Sequence, residues 1–299
     1  MDNGPYRAYE TLAAPARARS GLVRLACGII MLAVLSTLFQ VFILGFLFGA
    51  LGLEAENGTA LETAMDGRSP QAVLAILFSF TGYFAALALV LRLLHKRGLR
   101  SVLGPSGPAL RQSAPILLAL LGLLVLTFLL PIPDALRPTR NAALGIWLPA
   151  LPLALAALLI QVSAEEFVFR GYLQSQLAGR FPTPVIWLGL PALLFGGLHY
   201  APSVYGENAW AVVVWASLFG LAAGDLTARS GTLGPAITLH LVNNAYAFLL
   251  AAPEGYMDGL TLYTYPFNMD DPDQLVIWLP VELLMLLSSW LMARLVLRR

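Results

Sequence analysis

Residues 25–53, LACGIIMLAVLSTLFQVFILGFLFGALGL, run for 29 residues without an Asp, Glu, Lys or Arg. As a helix this stretch is about 43 Å long, enough to cross a hydrocarbon core of about 30 Å even when tilted. It exceeds the apolar core of a secretory signal, and no small-x-small cleavage site follows it, so the segment is expected to be retained. Cys27 lies inside it and is the chain's single cysteine. With no second thiol for a disulfide or a thiolate metal site, it reads as a small apolar helix residue. Gly45 and Gly49 form a GxxxG pair, which favours close packing of a neighbouring helix.

Seven further apolar stretches follow, at approximately 70–91, 114–131, 145–164, 184–201, 209–226, 233–252 and 275–293, giving about eight spans. The chain is 58% hydrophobic and 12% charged, with a mean hydropathy of +0.74, which excludes an ordinary soluble domain. The expected fold is an all-α polytopic membrane protein, a single bundle with an intramembrane polar cavity. No linker or internal repeat divides it, so residues 1–24 read as a cytoplasmic N-terminal segment and 25–299 as one membrane domain.

A net charge of +1 offers no global attraction to nucleic acid, and the information lies in where the charges fall. Arg7, Arg17, Arg19 and Arg24 precede the first span, and Arg92, Lys96, Arg97, Arg100 and Arg111 follow the second. Glu54, Glu56, Glu62 and Asp66 lie between those spans, and Glu254, Asp258, Asp270, Asp271 and Asp273 precede the last. The chain ends on Arg294, Arg298 and Arg299. Basic loops stay in the cytoplasm, so both termini are expected there. His95, in LRLLHKRGLR, reads as part of a solvated basic interface.

Three apolar segments carry polar side chains that hydrocarbon does not tolerate freely. Charged groups at a membrane centre cost about 2.5–3.5 kcal/mol each on insertion scales, so they face a cavity or a partner. In QVSAEEFVFRGYLQSQLAGRF, Glu166 and Arg170 stand four apart, the favoured orientation for a same-face ion pair, while Glu165 points about 100° away. In PALLFGGLHYAPS, Phe195 and His199 share a face, so the phenyl ring can lie beneath the imidazole. In LGPAITLHLVNNAYAF, His240 and Asn244 project together, either as an interhelical hydrogen-bonding pair or as two donors for an oxyanion. Asn243 adjoins Asn244, and spacing alone selects the latter.

The ordered set Glu165-Glu166-Phe-Val-Phe-Arg170, Phe195-Gly-Gly-Leu-His199 and His240-Leu-Val-Asn-Asn244 resembles the EExxxR, FxxxH and HxxxN/D motifs of the CAAX prenyl protease type II and bacteriocin-immunity (CPBP/Abi) membrane peptidases. The lead-in GLAAGDLTARSGTLGPAITLH is also similar, and the resemblance covers about residues 155–250. It implies an intramembrane endopeptidase in which Glu165 activates a water with help from His199, and His240 and Asn244 stabilise the oxyanion. Glu166, Arg170 and Phe195 would support them. The implied substrate is a membrane-embedded or lipid-linked peptide or protein, prenylated or not, and the remaining partner is membrane lipid. The expected location is the plasma membrane of a prokaryote. Whether no cofactor is needed or a divalent ion such as zinc is held by Glu165, His199 and His240 is left open, as both fit the residue types. A transporter or scaffold using the same polar groups as an ion or proton path is the competing reading.

Overall fold

The computed structural model describes residues 4–53, 65–129, 131 and 137–298, with the backbone alone for 275 and 276. Glu54, Glu56, Glu62 and Arg299, used above to orient the chain, lie outside the described residues. The architecture is an all-α polytopic membrane fold. Among the described residues six helices are long and apolar enough to cross a membrane: α2 (Leu22–Ala50), α3 (Pro70–His95), α4 (Ser106–Thr127), α5 (Leu144–Arg180), α7 (Pro202–Ser230) and a last span, Ile277–Leu297, within α9 (Pro272–Leu297). The short α1 (Glu10–Arg17) precedes them.

The expected count of eight is not reproduced. The segments expected at 184–201 and 233–252 form shorter helices, α6 (Pro184–Gly197) and α8 (Gly234–Ala245), the latter extended by a π-helical turn at Tyr246–Leu250. Fourteen residues of α-helix rise about 21 Å, short of the hydrocarbon thickness. Local chemistry sets these limits. Pro184 and Pro235 open α6 and α8, and the left-handed Gly231 closes α7 just before α8. Elsewhere Ser69 Oγ accepts from the Ala72 N–H at the start of α3, and Asp271 Oδ1 accepts from Asp273 and Gln274 at the start of α9, both N-caps.

α5 is the spine. Its 37 residues span far more than one bilayer thickness. The stretch through Ile160 mixes exposed with buried positions, whereas Glu166 and Val168–Ala178 are all buried. α8 packs on α4 and α5, α6 packs on α7, and α2 packs on α3. Gly28 of α2 lies against the Tyr172 hydroxyl of α5, where a side chain would collide. Gly45, by contrast, has no described atom within 4 Å of where a Cβ would sit, so among the described residues no helix packs closely at that position.

The α6–α7 contact depends on Gly196. A Cβ there would sit 2.6 Å from the Val213 carbonyl and 3.0 Å from the Ser217 nitrogen, so backbone would have to move. Gly196→Val is expected to destabilise by about 1–3 kcal/mol through overpacking, read as a lowered thermal-unfolding midpoint in detergent. An unchanged midpoint would show that α6 and α7 can separate without loss.

The segment 253–273, which holds the acidic residues before the last span, contains strand structure. β1 (Thr139–Arg140) pairs antiparallel with β3 (Tyr263–Asn268), which also pairs parallel with β2 (Ala251–Glu254). The small sheet ties the connection before α5 to the one before α9.

Candidate active site

Immediately after Glu166, α5 leaves α-helical geometry for a π-helical turn, Phe167–Leu173. Such turns are rare and recur at functional sites because they re-aim side chains by inserting one residue into the ladder. Arg170 lies inside this turn, and its guanidinium still reaches Glu166, Nη1 to Oε1 at 3.0 Å. The ion pair predicted from spacing therefore forms, fully enclosed, with 1% and 0% side-chain exposure.

His240 of α8 enters between the two carboxylates. Its Nδ1 lies 2.8 Å from Glu166 Oε1 and its Nε2 lies 3.6 Å from Glu165 Oε2. Two glutamates set about 100° apart on one helix thus address the opposite nitrogens of one imidazole. Because a carboxylate only accepts, the Nδ1 proton points at Glu166. Glu165 is the more open of the two, at 15% exposure against 0%, and 3.6 Å is too long for a direct hydrogen bond.

Phe195 joins these groups to His199. Its ring centre lies 4.6 Å from the Arg170 guanidinium carbon, 4.6 Å from the His199 ring and 6.1 Å from the His240 ring. The expected contact of Phe195 with His199 is therefore present, with the two rings tilted at 47° to each other. His199 Nδ1 sits 2.8 Å from the Phe195 carbonyl, which can only accept, so the proton is on Nδ1 and the neutral ring keeps its lone pair on Nε2. The resemblance groups Glu165 with His199 and His240 with Asn244. The structure also brings His240 to both glutamates and turns Asn244 toward a residue the sequence reading passed over, Gln161. Asn244 Nδ2 donates to Gln161 Oε1 at 2.9 Å. Nothing in a lone glutamine distinguished it beforehand except its place one turn ahead of Glu165.

Among the described residues no group of three or more His, Cys, Asp or Glu side chains is arranged to hold an ion. The Phe195 carbonyl engages Nδ1 of His199 and Glu166 engages Nδ1 of His240, which leaves Nε2 of each ring as the nitrogen available to a ligand.

This assembly of α5, α6 and α8 falls within a single matched segment. Residues 147–246 match the family described as Type II CAAX prenyl endopeptidase Rce1-like. The Rce1-like segment is about a third of the chain and contains every polar residue named in the motifs. The chain is also 30% identical over 120 residues to a protein of Bacillus subtilis (strain 168) described as uncharacterized protein YyaK, an alignment covering 40% of this chain and 39% of that relative. No solved structure matches the chain.

Outside the Rce1-like segment the basic region proves less solvated than its composition suggested. His95 is 3% exposed. Its Nδ1 faces the Arg19 carbonyl at 3.1 Å, and its Nε2 lies 2.9 Å from the Tyr172 hydroxyl of α5. The carbonyl fixes the proton on Nδ1, so in the neutral ring Nε2 accepts from the tyrosine. Arg97 is buried too, bonded to Ser101 and Ser175, and burial pushes its guanidinium down to about 10. Asp225 is held by Tyr6, Arg229 and Trp290, which marks it as a brace between α7, α9 and the N-terminal segment. That segment docks firmly. Tyr9 is fully buried, stacks on Trp187 with ring centres 5.3 Å apart and donates its hydroxyl to the Arg170 carbonyl at 3.0 Å. Two cavities, of about 390 Å³ between the N-terminal segment and α6 and of about 490 Å³ beside Asp258, do not touch the His240 cluster.

Proposed function

We propose that the chain is an intramembrane endopeptidase that hydrolyses membrane-embedded or lipid-linked peptides in the plasma membrane of a prokaryote, with both termini cytoplasmic. The observation that carries this reading is the division between the paired carboxylates. Glu166 is committed to Arg170 and His240, whereas Glu165 is partly open and lies 3.6 Å from His240 Nε2 without a direct hydrogen bond. The likeness of 147–246 to an endopeptidase family supports the same chemistry.

In this mechanism Glu165 removes a proton from water as its oxygen attacks the peptide carbonyl. The free Nε2 of His199 accepts a hydrogen bond from that water or relays its proton. The tetrahedral oxyanion takes donors from Asn244 and from His240 Nε2–H when both imidazole nitrogens are protonated, with Glu166 as the counter-charge. Collapse breaks the C–N bond, and the proton held by Glu165 passes to the departing amine. Arg170 and the doubly protonated His240 together balance Glu165 and Glu166, so the four groups carry no net charge before the oxyanion forms. Each step uses groups of the chain and water.

The test is cleavage of membrane-peptide mixtures by purified protein in lipid vesicles, read by mass spectrometry, with proton flux measured in the same vesicles. Discrete cleavage without flux is expected, and it should persist at full rate after metal removal and in the presence of a chelator. Flux without cleavage would favour the transport reading, and loss of cleavage on chelation that zinc restores would overturn the metal-free mechanism.

A further inference from the structure

Asn244 is the oxyanion donor least constrained by the motif, because a carboxamide on a helix can present either its oxygen or its nitrogen to a substrate. The structure removes that freedom. Asn244 Oδ1 accepts from Asn243 Nδ2 at 3.2 Å, and Asn244 Nδ2 donates to Gln161 Oε1 at 2.9 Å. A carboxamide nitrogen carries two protons, so one Asn244 N–H remains once Gln161 has taken the other. Turning this amide over by itself would set oxygen against the Gln161 oxygen and nitrogen against the Asn243 nitrogen, two repulsive contacts in place of two bonds.

We propose that Gln161 is a positioning residue which, together with Asn243, clamps the Asn244 carboxamide in one orientation and directs its remaining N–H at the reacting carbonyl. The proposal deepens the hydrolase reading given above and rests on it. Two observations support it. Gln161 is 6% exposed, and a buried carboxamide in an apolar span is costly unless bonded. It lies one helical turn before Glu165, so its side chain projects from the same side of α5 as the base. The water-activating carboxylate and the support of the oxyanion donor are thereby fixed on one rigid element, which holds their separation constant while α8 supplies the donor. Such support matters because a misplacement of about 1 Å in a catalytic group can reduce the rate by about 100-fold.

The experiment uses the full chain in lipid vesicles and a membrane peptide that the wild type cleaves, with kcat and KM measured separately. Gln161→Met keeps the bulk and removes the acceptor. It is expected to lower kcat by about 10- to 100-fold with KM changed less than about twofold. In an Asn244→Ala background the same substitution should reduce kcat by less than about twofold, because its target is gone. Asn243→Ala, which removes the other arm of the clamp, should give the same kcat signature and the same insensitivity in that background, and it decides the matter if Gln161→Met does not fold. Unchanged kcat in the folded variants, or equal losses with and without Asn244, would overturn the clamp while leaving the hydrolase reading intact provided Glu165→Gln is inactive. If Glu165→Gln cleaves like the wild type, the hydrolase reading falls and the clamp falls with it.

Discussion

Glu165→Gln is expected to lower peptide cleavage by on the order of 10³-fold, the usual contribution of a general base, while the protein unfolds at the wild-type temperature. The amide has nearly the shape of the carboxylate but cannot accept a proton at neutral pH. The chain should tolerate the change because Glu165 is neither fully enclosed nor within direct hydrogen-bonding distance of His240 Nε2, at 3.6 Å. A 10³-fold loss corresponds to about 4 kcal/mol in the barrier, so an assay covering three decades of rate separates it from a partial effect. Retained cleavage in the folded variant would remove Glu165 from the mechanism. A loss of activity accompanied by a large fall in the unfolding temperature would make Glu165 a structural residue.

Arg170→Met is expected to do the opposite, acting first on the fold. Glu166 is completely enclosed, and its salt bridge to Arg170 holds a charge that has no route to bulk water. Removing one member of a buried pair typically costs about 3–5 kcal/mol because the other is left charged in a medium of low polarity. Arg170 also lies over the Phe195 ring, so its loss disturbs the packing that positions His199 and His240. Adding Glu166→Gln to Arg170→Met should recover most of the lost stability, since the uncompensated charge is then gone. It should not recover cleavage, because His240 Nδ1 would no longer face a carboxylate. Thermal unfolding of the two variants and the wild type measures this directly, and additive destabilisation in the double variant would contradict a coupled pair.

The parts of this molecule legible in its sequence are those governed by one helix at a time. Long charge-free runs such as 25–53 announced spans, and the four-residue spacings of Glu166 with Arg170 and of Phe195 with His199 announced contacts that the structure contains. What escaped depends on pairs of elements. Hydropathy cannot distinguish α6 from a full span, because Pro184 and the turn after Gly197 stop an apolar helix that composition alone would continue. A histidine among arginines reads as solvated, yet the π-helical turn ending α3 carries His95 inward to Tyr172. Gln161 was silent because an uncharged residue in an apolar run leaves little mark. It became visible only when α8 laid Asn244 beside it. The meeting of His240 with both glutamates was equally hidden, since the angle between α5 and α8 decides it.

The bond from the Tyr9 hydroxyl to the Arg170 carbonyl joins residues 161 positions apart in the chain. Tyr9 is therefore synthesised well before the turn it braces, roughly 8–32 seconds earlier at ordinary rates of translation. During that interval the apolar face formed by Tyr9 and Leu12, buried in the folded chain, has no α5 to rest on. Maturation of the turn that carries Arg170 thus waits for the closing of an earlier-made part of the polypeptide over a later-made one.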